Sequence, residues 1–545
     1  MALKPTIVAA AAALSATALV LSGCSSSTTQ KDGDSGSGGP LTVGTTDKVT
    51  SLDPAGSYDN GSFLVMQQVF PFLTSYKPGT AETQPDIAES ADFTNPTTYE
   101  VKLKKDLKFA NGHELTSSDV KFSFDRQKKI ADPNGPSSLL GSLKSVKTPD
   151  DQTVQFELSR PNDQTFPLVL AGPAGPIVDE EAFSPTKVTK DDEIVKAEAF
   201  GGPYQIDSYD LNKLVSYAAN PDYKGPLEKA KTDSVQMKYY SDANNMKLDL
   251  QQGSIDVAWR SLSATDIEDL GKDDKLSVHK GPGGEIRYIV FNFDTMPYGA
   301  KSSSPDPKKA LAIRQAMADS VDRSAIAKDV YKDTYTPLYS FVPDGLPGAN
   351  QALKGAYGNG DGGADAEKAK KALEDAGVTA PVDIKLQYNP DHYGPSSGDE
   401  YAKVKDQLEK TGLFKVDLQS TEWVQYSKDR TADNYPVYQL GWFPDYSDAD
   451  NYLVPFFYDT KDTQSFLANH FRDEKINKQL TDQASIADSG KREQALGTIQ
   501  DELAKQLPTL PLLQGNQIAI ANKDVQGIDE TLDPSFQFRL AMLSK

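Results

Sequence analysis

The sequence predicts a mixed α/β protein of two or more lobes, and three observations carry that expectation. The chain has 545 residues, far more than one hydrophobic core usually holds. Short segments alternate with period two, as Tyr99, Val101 and Leu103 do, and again Val154, Phe156 and Leu158. That spacing belongs to half-buried strands. Between Asp383 and Leu418 the pattern is strand, helix, strand, a unit that favours parallel sheets with helices on their faces.

The elements follow in chain order. Lys4, an apolar stretch from Ile7 to Leu21 and the run Leu21-Ser22-Gly23-Cys24 form a secretory signal. A cysteine directly after the small residues gives it the look of a bacterial lipoprotein signal. Residues 1–23 are expected to be cut away and a lipid attached to the Cys24 thiol. The apolar stretch is shorter than the roughly 20 residues of a membrane span. Cys24 is the only cysteine, so an acylated Cys24 leaves no disulfide, thiolate metal site or cysteine nucleophile. Residues 24–40 lack a large apolar residue and read as a flexible linker. Order is expected from Leu41, where Leu41 to Gly44 suggests a first strand. Ala310, Ile313, Met317 and Val321 recur at helical spacing, which predicts one amphipathic helix from Pro307 to about Lys332. Asp365 can cap a helix that runs to Ala376, with Gly377 as its stop. In the strand-helix-strand unit, Ile384, Leu386 and Tyr388 alternate, and Tyr401, Val404 and Leu408 share a helix face ended by Gly412. Phe414, Val416 and Leu418 form the returning strand.

The formal net charge is −21. It argues against nucleic acid, which needs a basic surface, and against a membrane-binding face. A solvated acidic surface accounts for it, and a preference for cationic ligands is the sharper alternative. No phosphate-cradling G-x-x-x-x-G-K-[ST] loop and no H-E-x-x-H occurs. His113, His279, His392 and His470 are far apart in sequence, so neither a metal site nor a cofactor is expected. Asp191-Asp192 and Asp273-Asp274 read as solvated turns. Gly394-Pro395-Ser396-Ser397-Gly398 has the letters of a nucleophile elbow, but Ser396 falls in a loop instead of on a tight strand-to-helix turn. These residues describe an exported protein without catalytic apparatus, which suits capture of a solute outside the membrane. An extracellular hydrolase acting through Ser396 is the rival.

Several blocks then combine. Ser51-Leu52-Asp53-Pro54-Ala55 precedes Pro85-Asp86-Ile87-Ala88-Glu89-Ser90, and the run from Thr98 to Arg126 carries Phe109, Gly112, Thr116, Asp119 and Val120. Gly202-Pro203-Tyr204, Asn220-Pro221-Asp222-Tyr223, Gly253-Ser254-Ile255-Asp256 and Tyr288 to Asn292 follow. Then come Ile313-Arg314-Gln315-Ala316, Val321-Asp322-Arg323, and the block from Gly441 to Tyr452. In this order, from about Leu41 to Gly527, the chain resembles the family 5 solute-binding proteins of ABC transporters, the dipeptide/oligopeptide type.

The resemblance implies a two-lobe clamshell of the periplasmic-binding-protein type (class II, cluster C), with an extra subdomain inserted in the first lobe. Residues 41–75, 200–285 and 515–545 would form the first-lobe core, 76–199 the inserted subdomain and 286–514 the second lobe. The chain would cross near Gly281 to Arg287 and near Leu513 to Gln517, and Gly281-Pro282-Gly283-Gly284 suits a flexible crossover. In peptide-binding relatives the aspartate matching Asp445 pairs with the ligand's α-ammonium. The resemblance also implies Trp442, Tyr446 and Trp423 as covers for ligand side chains. From the first lobe it implies Tyr58, Asp59, Trp259 and Arg260, with Arg260 able to hold a carboxylate. One position departs. Leu386 stands where strict dipeptide binders carry a carboxylate-holding arginine, which favours longer peptides or a ligand without that carboxylate. The expectation is a monomeric lipoprotein on the extracytoplasmic face. It would capture peptides, oligopeptides foremost, for an ABC permease, with no enzyme activity. The alternative is the same fold holding a metal chelate, haem or oligosaccharide.

Overall fold

The computed structural model describes residues 39–545 apart from Glu228, Pro395, Asp462 and Thr463. Cys24, the signal segment and the linker as far as Gly38 lie outside the described residues. The first strand is Leu41–Thr45. Three large hydrophobic cores organise the chain. One gathers Leu41, Val65, Tyr217 and Trp259. A second gathers Ile289, Ile313, Ile384 and Leu440. A third gathers Val101, Val120, Phe156 and Ile177. They belong to the first lobe, the second lobe and a subdomain built on the first, so the molecule is a two-lobe clamshell.

The third core lies on a four-stranded antiparallel sheet. Its strands Thr98–Leu103 and Thr153–Leu158 bury alternate residues, as their sequence periodicity predicts. The helix Ser117–Ile130 covers it and starts on a capping box of Thr116 and Asp119, which satisfies two otherwise orphaned backbone donors. Arg126, near the end of that helix, forms a two-pronged buried ion pair with Asp53, Nη1 to Oδ1 at 2.8 Å. Two of the sequence blocks thus meet, and their pairing fastens the subdomain to the first lobe.

In the second lobe the strand-helix-strand unit forms as predicted. Val382–Tyr388 and Phe414–Ser420 pair in parallel, joined by the helix Ser397–Lys410. Asp365 caps the helix Ala366–Asp375 by accepting from Lys368 N, and Gly377 takes φ +68°. The single helix expected from Pro307 to Lys332 is instead two, Pro307–Ser320 and Arg323–Asp329. Val321 is extended at ψ 123°, and Asp322 caps the second helix by accepting from Ala325 N. Hydrophobic spacing carries across the break because both helices bury against the same core.

One eleven-stranded sheet runs through both lobes. Two long strands join its halves, Leu276–Phe291 and Thr509–Asn522, paired antiparallel from Leu276↔Asn522 to Val290↔Thr509. The ladder slips between Pro282 and Ile286. The crossover glycines are therefore not a loose loop, which corrects the expectation. None of Gly281, Gly283 and Gly284 has a positive φ. A Cβ on Gly281 would lie 2.2 Å from the Leu532 carbonyl oxygen, and one on Gly283 would lie 2.3 Å from that of Gly515. On Gly284 it would lie 2.4 Å from Pro444 Cγ. These positions need glycine for close approach, not for backbone freedom.

Candidate functional site

All eight residues singled out from the sequence line one cavity of about 430 Å³: Tyr58, Asp59, Trp259, Arg260, Trp423, Trp442, Asp445 and Tyr446. They arrive from both lobes. Trp259 ends the strand Val257–Trp259 and is buried, stacked on Phe538 at 4.9 Å. Arg260 follows at φ +67°, and that turn aims its guanidinium at the rings of Trp259, Phe443 and Phe536, 4.9–5.5 Å from their centroids. Its Nη1 stands 3.3 Å from Asp47 Oδ2. Phe443 comes from the second lobe, one residue beyond the strand Val437–Trp442.

Asp445 is placed by Asn451, which starts the helix Asp450–Phe457 with Asp450 and is buried. Asn451 Oδ1 accepts from Trp442 Nε1 at 3.0 Å and from Asp445 N at 2.8 Å, and its Nδ2 donates to Asp445 Oδ2 at 2.9 Å. The other carboxylate oxygen accepts from the Tyr58 hydroxyl of the first lobe. Burial lifts the Asp445 carboxyl above the usual carboxylate range, and the bonds from Asn451 and Tyr58 oppose it. Desolvation and the facing Asp445 raise the Tyr58 phenol in turn. No sequence signal marks Asn451 beyond its place in the block that carries Asp445.

The remaining predicted residues hold varied posts. Asp59 caps the helix Asn60–Val69, one oxygen accepting from Ser62 N at 2.8 Å and the other from the Thr50 hydroxyl at 2.5 Å. Its carboxylate therefore serves the helix start as well as lining the cavity. Tyr446 packs against the subdomain core and donates to Asp450 Oδ1 at 2.7 Å. Trp442 meets Phe456 and Phe466 edge-on at 5.2 and 5.1 Å. Trp423 stacks on His392 with centroids 3.8 Å apart, and burial pushes the His392 imidazole down. Asp448 is buried against Arg492 in a two-pronged ion pair of 2.6 and 2.7 Å.

A second cavity of about 480 Å³ shares Arg260, His392, Tyr393, Phe443 and Phe536 with the first. Glu285, Tyr335 and Ser396 line it. Sequence reasoning missed Glu285, which no periodicity or motif marks. Leu386 is 1 % exposed within the second-lobe core, so a residue at that position does not face the cleft. Ser396 precedes the helix Ser397–Lys410 in helical backbone geometry, φ −77°, ψ −4°, and among the described residues no histidine bonds to it. Elsewhere Asp294, Asp433 and His470 gather ligand atoms within 4.8 Å of one another. Lys301 already balances that cluster, 2.7 Å from Asp294.

Two lobes joined by two paired strands, with a cleft lined from both sides, define a solute-binding clamshell of the periplasmic-binding-protein type. A family model for bacterial extracellular solute-binding proteins, family 5, matches residues 82–464, and the chain belongs to that family. It is 26 % identical over 476 residues to the dipeptide-binding protein of Escherichia coli (strain K12), covering 84 % of this chain and 85 % of the relative. It is 25 % identical over 569 residues to heme-binding protein A of Haemophilus influenzae, covering 97 % and 96 %. Its fold matches a periplasmic binding protein of Helicobacter pylori solved with the peptide STSA, at TM-score 0.71 and 20 % identity over 93 % of this chain and 98 % of that one.

Proposed function

We propose that the chain captures peptides outside the membrane and delivers them to an ABC importer. The observation that carries the reading is Asp445. A carboxylate desolvated in an interlobe cleft, whose partners among the described residues are a phenol and an amide, is matched to an ammonium. A buried charge is stabilised by pairing and is costly alone. The aromatic groups beside it cover side chains of many shapes at low entropy cost, and Arg260 is the cation in reach of a ligand carboxylate. Closure buries the ligand between lobes, and its extent is set by how much better the closed form binds. A lipid on Cys24 would hold the binder close to its permease and raise its effective concentration there.

Calorimetry of the chain from Ser25 onward with a mixed peptide pool tests this, alongside mass spectrometry of ligand that co-purifies. Peptides bound at a free α-amino group support the reading. Binding of N-acetylated peptides at equal strength, or of no peptide at all, overturns it. Titration with haemin in the same experiment addresses the non-peptide alternative that the relation to a heme-binding protein raises.

A further inference from the structure

We propose that the second cavity is a side-chain subsite that takes a cationic group, the lysine or arginine side chain of a bound peptide, on Glu285. The inference rests on the peptide reading of Asp445. Glu285 sits where the crossover ladder slips, between Pro282 and Ile286, and its side chain is 14 % exposed on the cavity wall. Its two oxygens meet the Tyr335 hydroxyl at 2.7 Å and Arg287 Nη1 at 3.3 Å.

Arg287 is committed elsewhere. Its Nε donates to Glu400 at 2.8 Å, its Nη1 to the Tyr393 carbonyl at 2.7 Å and its Nη2 to the Ser397 hydroxyl at 2.9 Å. Two carboxyl groups thus share one guanidinium, and Glu400 Oε1, fully buried, has no hydrogen-bond partner. Such a cluster is short of positive charge, and a desolvated carboxylate without full compensation is unfavourable. Among the described residues lining the cavity, Arg260 is the only lysine or arginine. It is paired with Asp47 and spread over three rings. Asp391 adds a second carboxylate to the lining, one that accepts from Asn389 Nδ2 at 2.7 Å and from Trp423 N at 3.1 Å. Tyr331, Tyr335, Tyr393, Phe443 and Phe536 wall the cavity with rings, the first three within 5.3–6.0 Å of the Arg287 guanidinium and the last two within 4.9–5.5 Å of that of Arg260.

The subsite is within reach of Asp445. Gly284, the neighbour of Glu285, packs so closely on Pro444, the neighbour of Asp445, that a Cβ there would lie 2.4 Å from Pro444 Cγ. An α-ammonium on Asp445 and a basic side chain on Glu285 would therefore belong to one ligand.

The test is calorimetry with tripeptides carrying lysine at one position, each paired with its norleucine isostere. In the wild type, lysine at one position is expected to bind about tenfold more tightly than norleucine, the scale of a charge-assisted hydrogen bond. Glu285→Gln should erase that ratio. Tyr335→Phe, which frees a Glu285 oxygen and keeps the ring, should increase it. Equal binding of lysine and norleucine peptides at every position in the wild type overturns the proposal, as does a ratio that Glu285→Gln leaves intact. If no peptide binds, the peptide reading fails and pentane-1,5-diamine becomes the probe. Binding that Glu285→Gln abolishes then supports the subsite, and diamine binding that is absent or insensitive to the variant overturns it.

Discussion

Asp445→Asn separates binding from stability at the proposed ammonium site. The substitution keeps the shape. The new amide can turn its oxygen to Asn451 Nδ2 and its nitrogen to the Tyr58 oxygen, so the Asn451 contact survives unchanged and the Tyr58 contact survives in reversed polarity. What is lost is the charge that faces a ligand ammonium. Truncating one partner of a buried, hydrogen-bonded charge pair costs about 2–5 kcal/mol, or roughly thirtyfold to several thousandfold in Kd. Stability moves the other way. Burial raises the Asp445 carboxyl, so the fold favours the protonated form. That contribution is complete below the unfolded carboxylate range and is lost as pH rises through the raised value. The neutral asparagine escapes that loss. Calorimetry is expected to show peptide affinity collapsing in Asp445→Asn, and thermal melts at pH 7 to show a Tm at or above wild type, with the advantage fading in acid. Peptide binding within about threefold of wild type would refute the reasoning, and a lower Tm at neutral pH would refute its electrostatic half.

Three further outcomes are expected. Tyr58→Phe frees Asp445 Oδ1 from the bond across the cleft; peptide affinity should rise by up to about tenfold, within the worth of a hydrogen bond to a charged group, and weaker binding in calorimetry would count against it. Asp86 is pushed up to about 7 by burial, so its protonated form stabilises the fold below about pH 4 and that contribution is lost as pH rises through 7. Asp86→Asn should therefore outlast wild type in melts at pH 8 by more than at pH 5, and equal differences would contradict it. Gly284→Ala forces a methyl against Pro444 Cγ and to 2.7 Å from the Tyr452 hydroxyl; overpacking of about 1–3 kcal/mol should lower both Tm and peptide affinity, and an unchanged protein would dismiss the close-packing account of the crossover.

What the sequence made legible was local or carried by motifs. The strand-helix-strand unit from Val382 to Ser420 forms within its own segment, so its periodicity sufficed. The gathering of the eight candidate residues in one cavity was reachable only through the ordered blocks, because Tyr58 and Asp445 lie 387 positions apart. Long-range pairing hid the rest. Nothing near Gly281 announces its ladder to Gln517, so glycines that lie flat against Leu532 and Gly515 read as a loose hinge. The break at Val321 was concealed by periodicity that one core imposes on two helices, although Asp322 was a visible cap. Glu285 acts through Tyr335 of a distant segment, and composition cannot record that.

The segment that carries Asp445 explains how a cleft with so few charges can be selective. Between Trp442 and Asp450 the second lobe reaches over to the first. Phe443 lies against Arg260, Tyr446 packs on the subdomain core, and Ser447 donates its N–H to the Tyr76 hydroxyl at 3.1 Å and its own hydroxyl to the Pro534 carbonyl at 2.9 Å. Asp448 is pinned by Arg492 behind it. Asp445 therefore stands on backbone held from both sides, and its carboxylate is oriented by Asn451 before a ligand arrives. Preorganisation of this kind reduces the ordering cost of binding.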